Sequence, residues 1–224
     1  TGLMLVFPVT GVPEYEGGVF TASPQTALAT WRLTPLGTTR LAAPYSDTSG
    51  AALGAGAELL LLVDQRRAEW WCADVSMQPD TFANWRCFHD LDRDDVFDLV
   101  APMRSMAYNP LPFPEALLVP TSAEIAYLRS NSSPEAAFEL ALWYDGTANL
   151  YNALNIQLMS RRIGETEWVS LGTYAEFYAV VREVPSQVEL GPFVFNVDSR
   201  QGDIISGTLP PSAPIRAAFG TGTQ

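Results

Sequence analysis

There is no lysine anywhere in the chain. All 13 basic side chains are arginine, set against 25 aspartates and glutamates, for a formal net charge of −12. So acidic a surface repels phosphate backbones and has no counterion-release drive toward nucleic acid. What it directly favours is solubility. Histidine is almost as scarce: His89 stands alone, which excludes multi-histidine metal sites and leaves one imidazole for general-base work. Two cysteines, Cys72 and Cys87, are too few for a disulfide framework. They read as free buried thiols of a reducing compartment, with a single disulfide as the alternative. No apolar run approaches the ~20 residues needed to span a bilayer, and residues 3–7 lack the basic flank of a signal peptide. A G-x-S-x-G elbow, a Gly-rich phosphate loop and any long amphipathic helical pattern are missing too.

What is present is a large apolar content cut into short pieces. The chain is 47% hydrophobic and 11% aromatic, enough to bury a sizeable core, with 17 prolines and 16 glycines spread along it. Residues 1–18 read as an extended N-terminal arm, or as an edge strand of the chain's own sheet. Ala27, Ala29, Trp31 and Leu33 alternate with Leu28, Thr30 and Arg32, a half-buried strand. Residues 36–56 are turn-rich and predict a loop with one short helix. Residues 59–63 form a continuous apolar run, as in a strand covered on both faces. In residues 70–75, Trp70 and Trp71 must point to opposite faces if the segment is extended. Further strands are predicted at 85–91, 96–100, 138–144 and 154–159, the last two flanking an Asp145-Gly146 turn signal. Four prolines make 109–120 a surface connection. Residues 173–212 close the pattern: an aromatic and β-branched run to Pro185, a second from Phe193 to Val197, a polar turn, Ile204-Ile205, and the Pro210-Pro211 stop. The fold predicted is all-β: an eight-stranded jelly-roll β-sandwich forming a single domain over 19–209, with 210–224 as a C-terminal tail.

Three segments carry a resemblance. The 173–212 stretch, with its aromatic-x-Ala-Val strand, Val184-Pro185-Ser186-Gln187-Val188, Phe193-x-Phe195-x-Val197-Asp198 and Pro-Pro exit, resembles the end of small coat proteins of comovirus-type and other picorna-like viruses. Residues 58–80, with Met77-Gln78-Pro79, are similar to that protein's paired third and fourth strands, and 26–35 to its first. The resemblance implies a non-enzymatic capsid subunit of a non-enveloped icosahedral positive-strand RNA virus. Such a subunit assembles with other coat subunits in the virion and host cytoplasm, cut from a polyprotein. It meets no membrane and has at most weak contact with genomic RNA, since this chain supplies no basic arm. Assembly contacts would fall on the apolar arm and on residues 208–214.

Candidate chemistry is sparse. Cys87 and His89 stand two apart on a predicted strand, so they share a face and could form a nucleophile pair; the bland reading is that both fill or rim the sheet. Asp90, Asp92, Asp94 and Asp95 have D-x-D-x-D spacing but lack the glycine and glutamate of a calcium loop; a looser calcium site or a solvated turn remain. Glu165 and Glu167 beside Trp168, or Asp145 beside Tyr144, could serve as glycosidase carboxylates with a stacking ring. Trp31, Trp70, Trp71, Trp85, Trp143 and Trp168 form either a carbohydrate platform or core. The expectation is therefore no catalytic, cofactor or metal residue. The alternative is a secreted carbohydrate-binding or glycoside-hydrolysing β-sandwich, with Asn131-Ser132-Ser133 as its glycosylation sequon. A Cys72–Cys87 disulfide favours that alternative; free thiols favour the coat protein.

Overall fold

The computed structural model describes residues 2–3, 5–75, 84–104, 113–114, 118–129, 134–148, 153–171 and 178–220. Met77-Gln78-Pro79 and the Asn131 sequon lie outside the described residues. Among those described, every regular element is a strand, so the all-β expectation holds and the short helix in 36–56 does not form. That segment instead folds into Thr38–Leu41 and the small Tyr45–Ser46 and Ala52–Leu53 pair. The chain divides into two compact units: residues 1–9, 35–135 and 218–224, and residues 10–34 and 136–217.

The first unit is a closed antiparallel barrel. Its six strands are Thr38–Leu41, Glu58–Asp64, Glu69–Asp74, Asn84–His89, Val96–Arg104 and Val119–Arg129. Closure needs Thr38–Leu41 to insert between Glu58–Asp64 on one side and Val119–Arg129 on the other. With no sheet edge left inside the ring, every strand alternates between wall and interior. Leu41, Leu59, Ala73, Phe88, Phe97, Val100, Ile125 and Tyr127 fill the interior. Phe97 and Val100 are an odd number of positions apart, yet both reach it because a bulge shifts the register between Phe97 and Leu99. Phe97 stacks on Tyr127 with ring centres 4.5 Å apart and on Phe88 at 5.1 Å. Leu59, Leu60 and Leu62 are all buried, as the continuous apolar run predicted. Within residues 1–18, Leu5–Pro13 is a strand of the chain's own sheet but not an edge, having neighbours on both sides: Leu5 and Val6 pair with Asp64 and Val63, and Leu5 is wholly buried.

The second unit packs two antiparallel sheets whose neighbours are mostly consecutive in sequence. One carries Thr26–Pro35, Phe138–Ala148, Ala153–Arg162 and Tyr178–Val181; the other carries Gly18–Ala22, Ile204–Leu209, Phe193–Gln201 and Ser186–Leu190. Trp31 and Phe193 meet between them at 4.2 Å. Asp145-Gly146 is not the hairpin turn: Phe138–Ala148 runs through it as a bulge, where Gly146 takes φ 115°. The tail beyond Pro211 does not leave the protein, because Ile215–Gly220 pairs with the Leu5–Pro13 strand. A Cβ on Gly11 would meet Ile215 at 2.5 Å, so this pairing needs glycine there.

The two cysteines are bonded, correcting the free-thiol expectation. Cys72 and Cys87 are direct register partners on neighbouring barrel strands, and both are buried. The sequence separation of 15 hid this, since only strand register brings the side chains together. Closing a loop of that length removes about 3 kcal/mol of unfolded-chain freedom. Titration in denaturant should therefore find no reactive thiol before reduction and two after it. Reduction should lower the unfolding free energy by about 3 kcal/mol; equal stability with and without reductant would count against the bond.

Candidate functional site at the barrel mouth

A six-stranded barrel is too narrow to hold a lumen once its interior is filled, so space is left only at its ends. One end opens into a cavity of about 570 Å³. Two hairpin turns form its rim, the 64–69 turn between Glu58–Asp64 and Glu69–Asp74 and the 90–95 turn after Asn84–His89. Each turn is organised by the aspartate that ends the preceding strand segment, because a carboxylate there can accept the turn's own amides. Asp64 Oδ1 accepts the N–H groups of Arg66 and Ala68, both at 2.8 Å. Asp90 accepts those of Arg93 at 2.6 Å and Asp95 at 3.0 Å, together with the Tyr127 hydroxyl at 2.9 Å.

Trp71 lies half-buried on the cavity wall, its ring 6.3 Å from that of Tyr127, while Trp70 turns to the other face of its strand. Opposite facing is what extended geometry demanded of the pair. Trp70 is buried and stacks on His89 at 4.8 Å. His89 lines the cavity with Nδ1 2.7 Å from the Glu69 carbonyl. Arg67, Arg93 and Arg129 complete the polar rim with Thr38 and Glu69. Arg129 is held by an ion pair to Asp95.

Burial raises the Tyr127 phenol first, and its hydrogen bond and proximity to the Asp90 carboxylate add to that, taking it from 10.0 to about 12. Burial also pushes Asp90 up, but the Tyr127 hydroxyl and the turn amides outweigh it and the carboxyl is lowered on balance. Elsewhere in the same unit, buried Arg86 pairs with Asp47 at 2.7 Å and donates to Ser49 Oγ at 2.7 Å. Burial raises Asp47, yet the Ser49 hydroxyl and Arg86 overcome it and bring the carboxyl to about 2.

The sequence candidates fare unevenly. Cys87 and His89 share a face as predicted, but the Cys87 sulfur is bonded to Cys72 and is no nucleophile. The acidic run brings together Asp90, Asp92 and Asp98 within 4.8 Å, in place of Asp90, Asp92 and Asp94. Both Asp90 oxygens and Asp98 Oδ2 already accept turn N–H groups, so the arrangement is that of a hydrogen-bonded turn. Asp94 caps the Val96 N–H at 2.9 Å. Glu165 and Glu167 are exposed on their turn, and neighbouring Trp168 packs on Trp143 and under the Arg161 guanidinium. Asp145 accepts the Gln25 side-chain amide, and Tyr144 is buried with its hydroxyl on the Asp203 carbonyl. These carboxylates therefore flank no common cleft. Trp31 is core, Trp85 half-buried, and of the six tryptophans Trp71 alone lines the cavity. Sequence reading missed Tyr127, Arg67, Arg93 and Arg129, whose convergence depends on pairings distant in sequence. No family model, curated protein or solved structure matches the chain.

The Asp90–Tyr127 bond sets an alkaline limit. A phenol raised in the folded state stabilises the fold below its unfolded value, and that stability is lost as pH climbs through the folded value. From 10.0 to about 12 this is a loss of about 3 kcal/mol. Urea melts at pH 8 and pH 11.5 should show about two-thirds of this loss in the parent, about 2 kcal/mol, because pH 11.5 still lies below the folded value. In Tyr127→Phe this part should be missing, leaving only the decline from the other raised phenols, Tyr45 and Tyr144 among them, in a protein already about 1 kcal/mol weaker at pH 8. A parallel alkaline decline in both proteins would contradict the assignment.

Proposed function

We propose that the chain is a non-catalytic binding protein of an oxidising compartment, and that the barrel mouth takes a saccharide. The observation that carries this is Trp71, half-buried in a cavity of about 570 Å³ amid converging hydrogen-bonding groups. A ring face in such a place suits the apolar face of a sugar, and the surrounding donors and acceptors suit its hydroxyls. The Cys72–Cys87 bond supports the compartment, because disulfides persist where thiols are not kept reduced. Asp90 and Asp95 at the mouth pair with amides, a hydroxyl and a guanidinium group in ways that suit holding better than hydrolysis.

One observation favours the second reading, the picorna-like coat subunit with an eight-stranded jelly roll. On the outer face of the Gly18–Ala22 sheet, Val19 is 84% exposed, Val194 45% and Ile204 47%. Exposed apolar side chains set among Thr208, Asn196 and Glu189 suit contact with symmetry mates. The family likeness itself rests on the three sequence segments alone.

Intrinsic fluorescence titrated with a panel of neutral and acidic oligosaccharides tests the first reading. Binding should quench or shift emission, and Trp71→Ala should weaken it at least tenfold, the loss of stacking being on the order of 1.5 kcal/mol. Failure of the whole panel, with a megadalton particle in sedimentation, would hand the chain to the second reading.

A further inference from the structure

Three aspartates in the barrel unit accept amides of the turn that follows them, Asp47 and Asp64 from two and four positions ahead and Asp90 from three and five, and in each turn a left-handed residue stands three positions after the aspartate. After Asp47 it is Gly50 at φ 86°, after Asp64 it is Arg67 at φ 65°, and after Asp90 it is Arg93 at φ 66°. Glycine meets this conformation without penalty, whereas a side chain with a Cβ is strained there. Both turns that keep an arginine border the cavity; the turn that uses glycine contributes no lining residue. Backbone strain of this sort collects at binding sites, where the side chain is worth more than the conformation costs.

Both arginines are exposed, and their guanidinium groups have no hydrogen-bond or ion-pair partner among the described residues. Arg129, the third cavity arginine, is already neutralised by Asp95. Three nearby carboxylates are held by other partners, Asp64 by the Arg66 and Ala68 amides, Asp90 by Tyr127 and its own turn, Asp98 by the Leu91 amide, while Glu69 shares the rim with the arginines. Two forked cations with no direct partner among the described residues thus stand one on each rim turn, with the Trp71 ring on the wall of the same cavity. Against a whole-chain charge of −12, long-range attraction cannot draw an anion in. Selection has to come from short contacts, which is what the planar guanidinium supplies to a carboxylate.

We propose that the barrel mouth selects a carboxylate-bearing saccharide, a hexuronate, with Arg67 and Arg93 seating the carboxylate and Trp71 carrying the ring. This rests on the saccharide reading above and narrows it. Calorimetric titration with a galacturonate disaccharide and with the neutral galactose disaccharide of the same linkage separates the two claims. The acidic sugar should bind about tenfold tighter or more, the scale of a charge-assisted hydrogen bond. Arg67→Gly and Arg93→Gly should each weaken the acidic sugar by more than the neutral one, shrinking that preference severalfold. Their melting temperatures should hold or rise, since glycine relieves the left-handed strain. Equal binding of the two sugars would overturn the proposal and leave saccharide binding intact; binding of neither would remove both. A fall in melting temperature in the glycine variants would make the arginines structural and overturn the proposal as well.

Discussion

Closure is the constraint on which the barrel unit depends. Six antiparallel strands joined into a ring leave no backbone edge to satisfy, but they enclose a space that only side chains can fill. Phe88, Phe97 and Tyr127 fill it in a stacked column, and the column reaches the end of the barrel at Tyr127. The hydroxyl there needs a partner, and Asp90 provides one while tying down the turn that carries Arg93. Core packing and rim geometry are in this way one hydrogen-bonded system. A change in the column is felt at the mouth.

The same closure explains the division of labour between adjacent residues. Trp70 and Trp71 differ by one position and meet different surroundings, one stacked on His89 in a buried wall and one facing the cavity. Cys72 and Cys87 lie on the wall face and are joined across it. The acidic run from Asp90 to Asp98 is best understood as turn chemistry, since its carboxylates supply amide partners that a tight reversal cannot find elsewhere. A proline-free, glycine-poor turn survives because aspartate side chains do the work that backbone partners cannot.

Much of this was legible in the residues. The Trp31 alternation, the Leu59 run, the opposite facing of Trp70 and Trp71 and the stop at Pro210 all follow from period and hydrogen-bonding capacity, and the structure repeats them. Less was legible where a local signal competed with a longer strand. Asp145-Gly146 has turn composition, but Tyr144 and Gly146 both stay paired to Ala153–Arg162, so glycine there marks a bulge. Ser186–Leu190, a strand with Val188 and Leu190 inward, stands directly behind a proline and is too short for its alternation to mark it. The disulfide and the site were illegible for a different reason: Thr38, Trp71, Arg93 and Tyr127 come from four strands or turns whose adjacency is fixed only when the ring shuts.

The disulfide also has a mechanical meaning. A ring of six staves has six seams, and the one between Glu69–Asp74 and Asn84–His89 is welded. Any momentary parting of the ring must use another. The slimmest stave is Thr38–Leu41, fastened by three residue pairs on either flank. Thr38 and Thr39 border the cavity, so the stave with the fewest fastenings is also the doorpost of the barrel mouth.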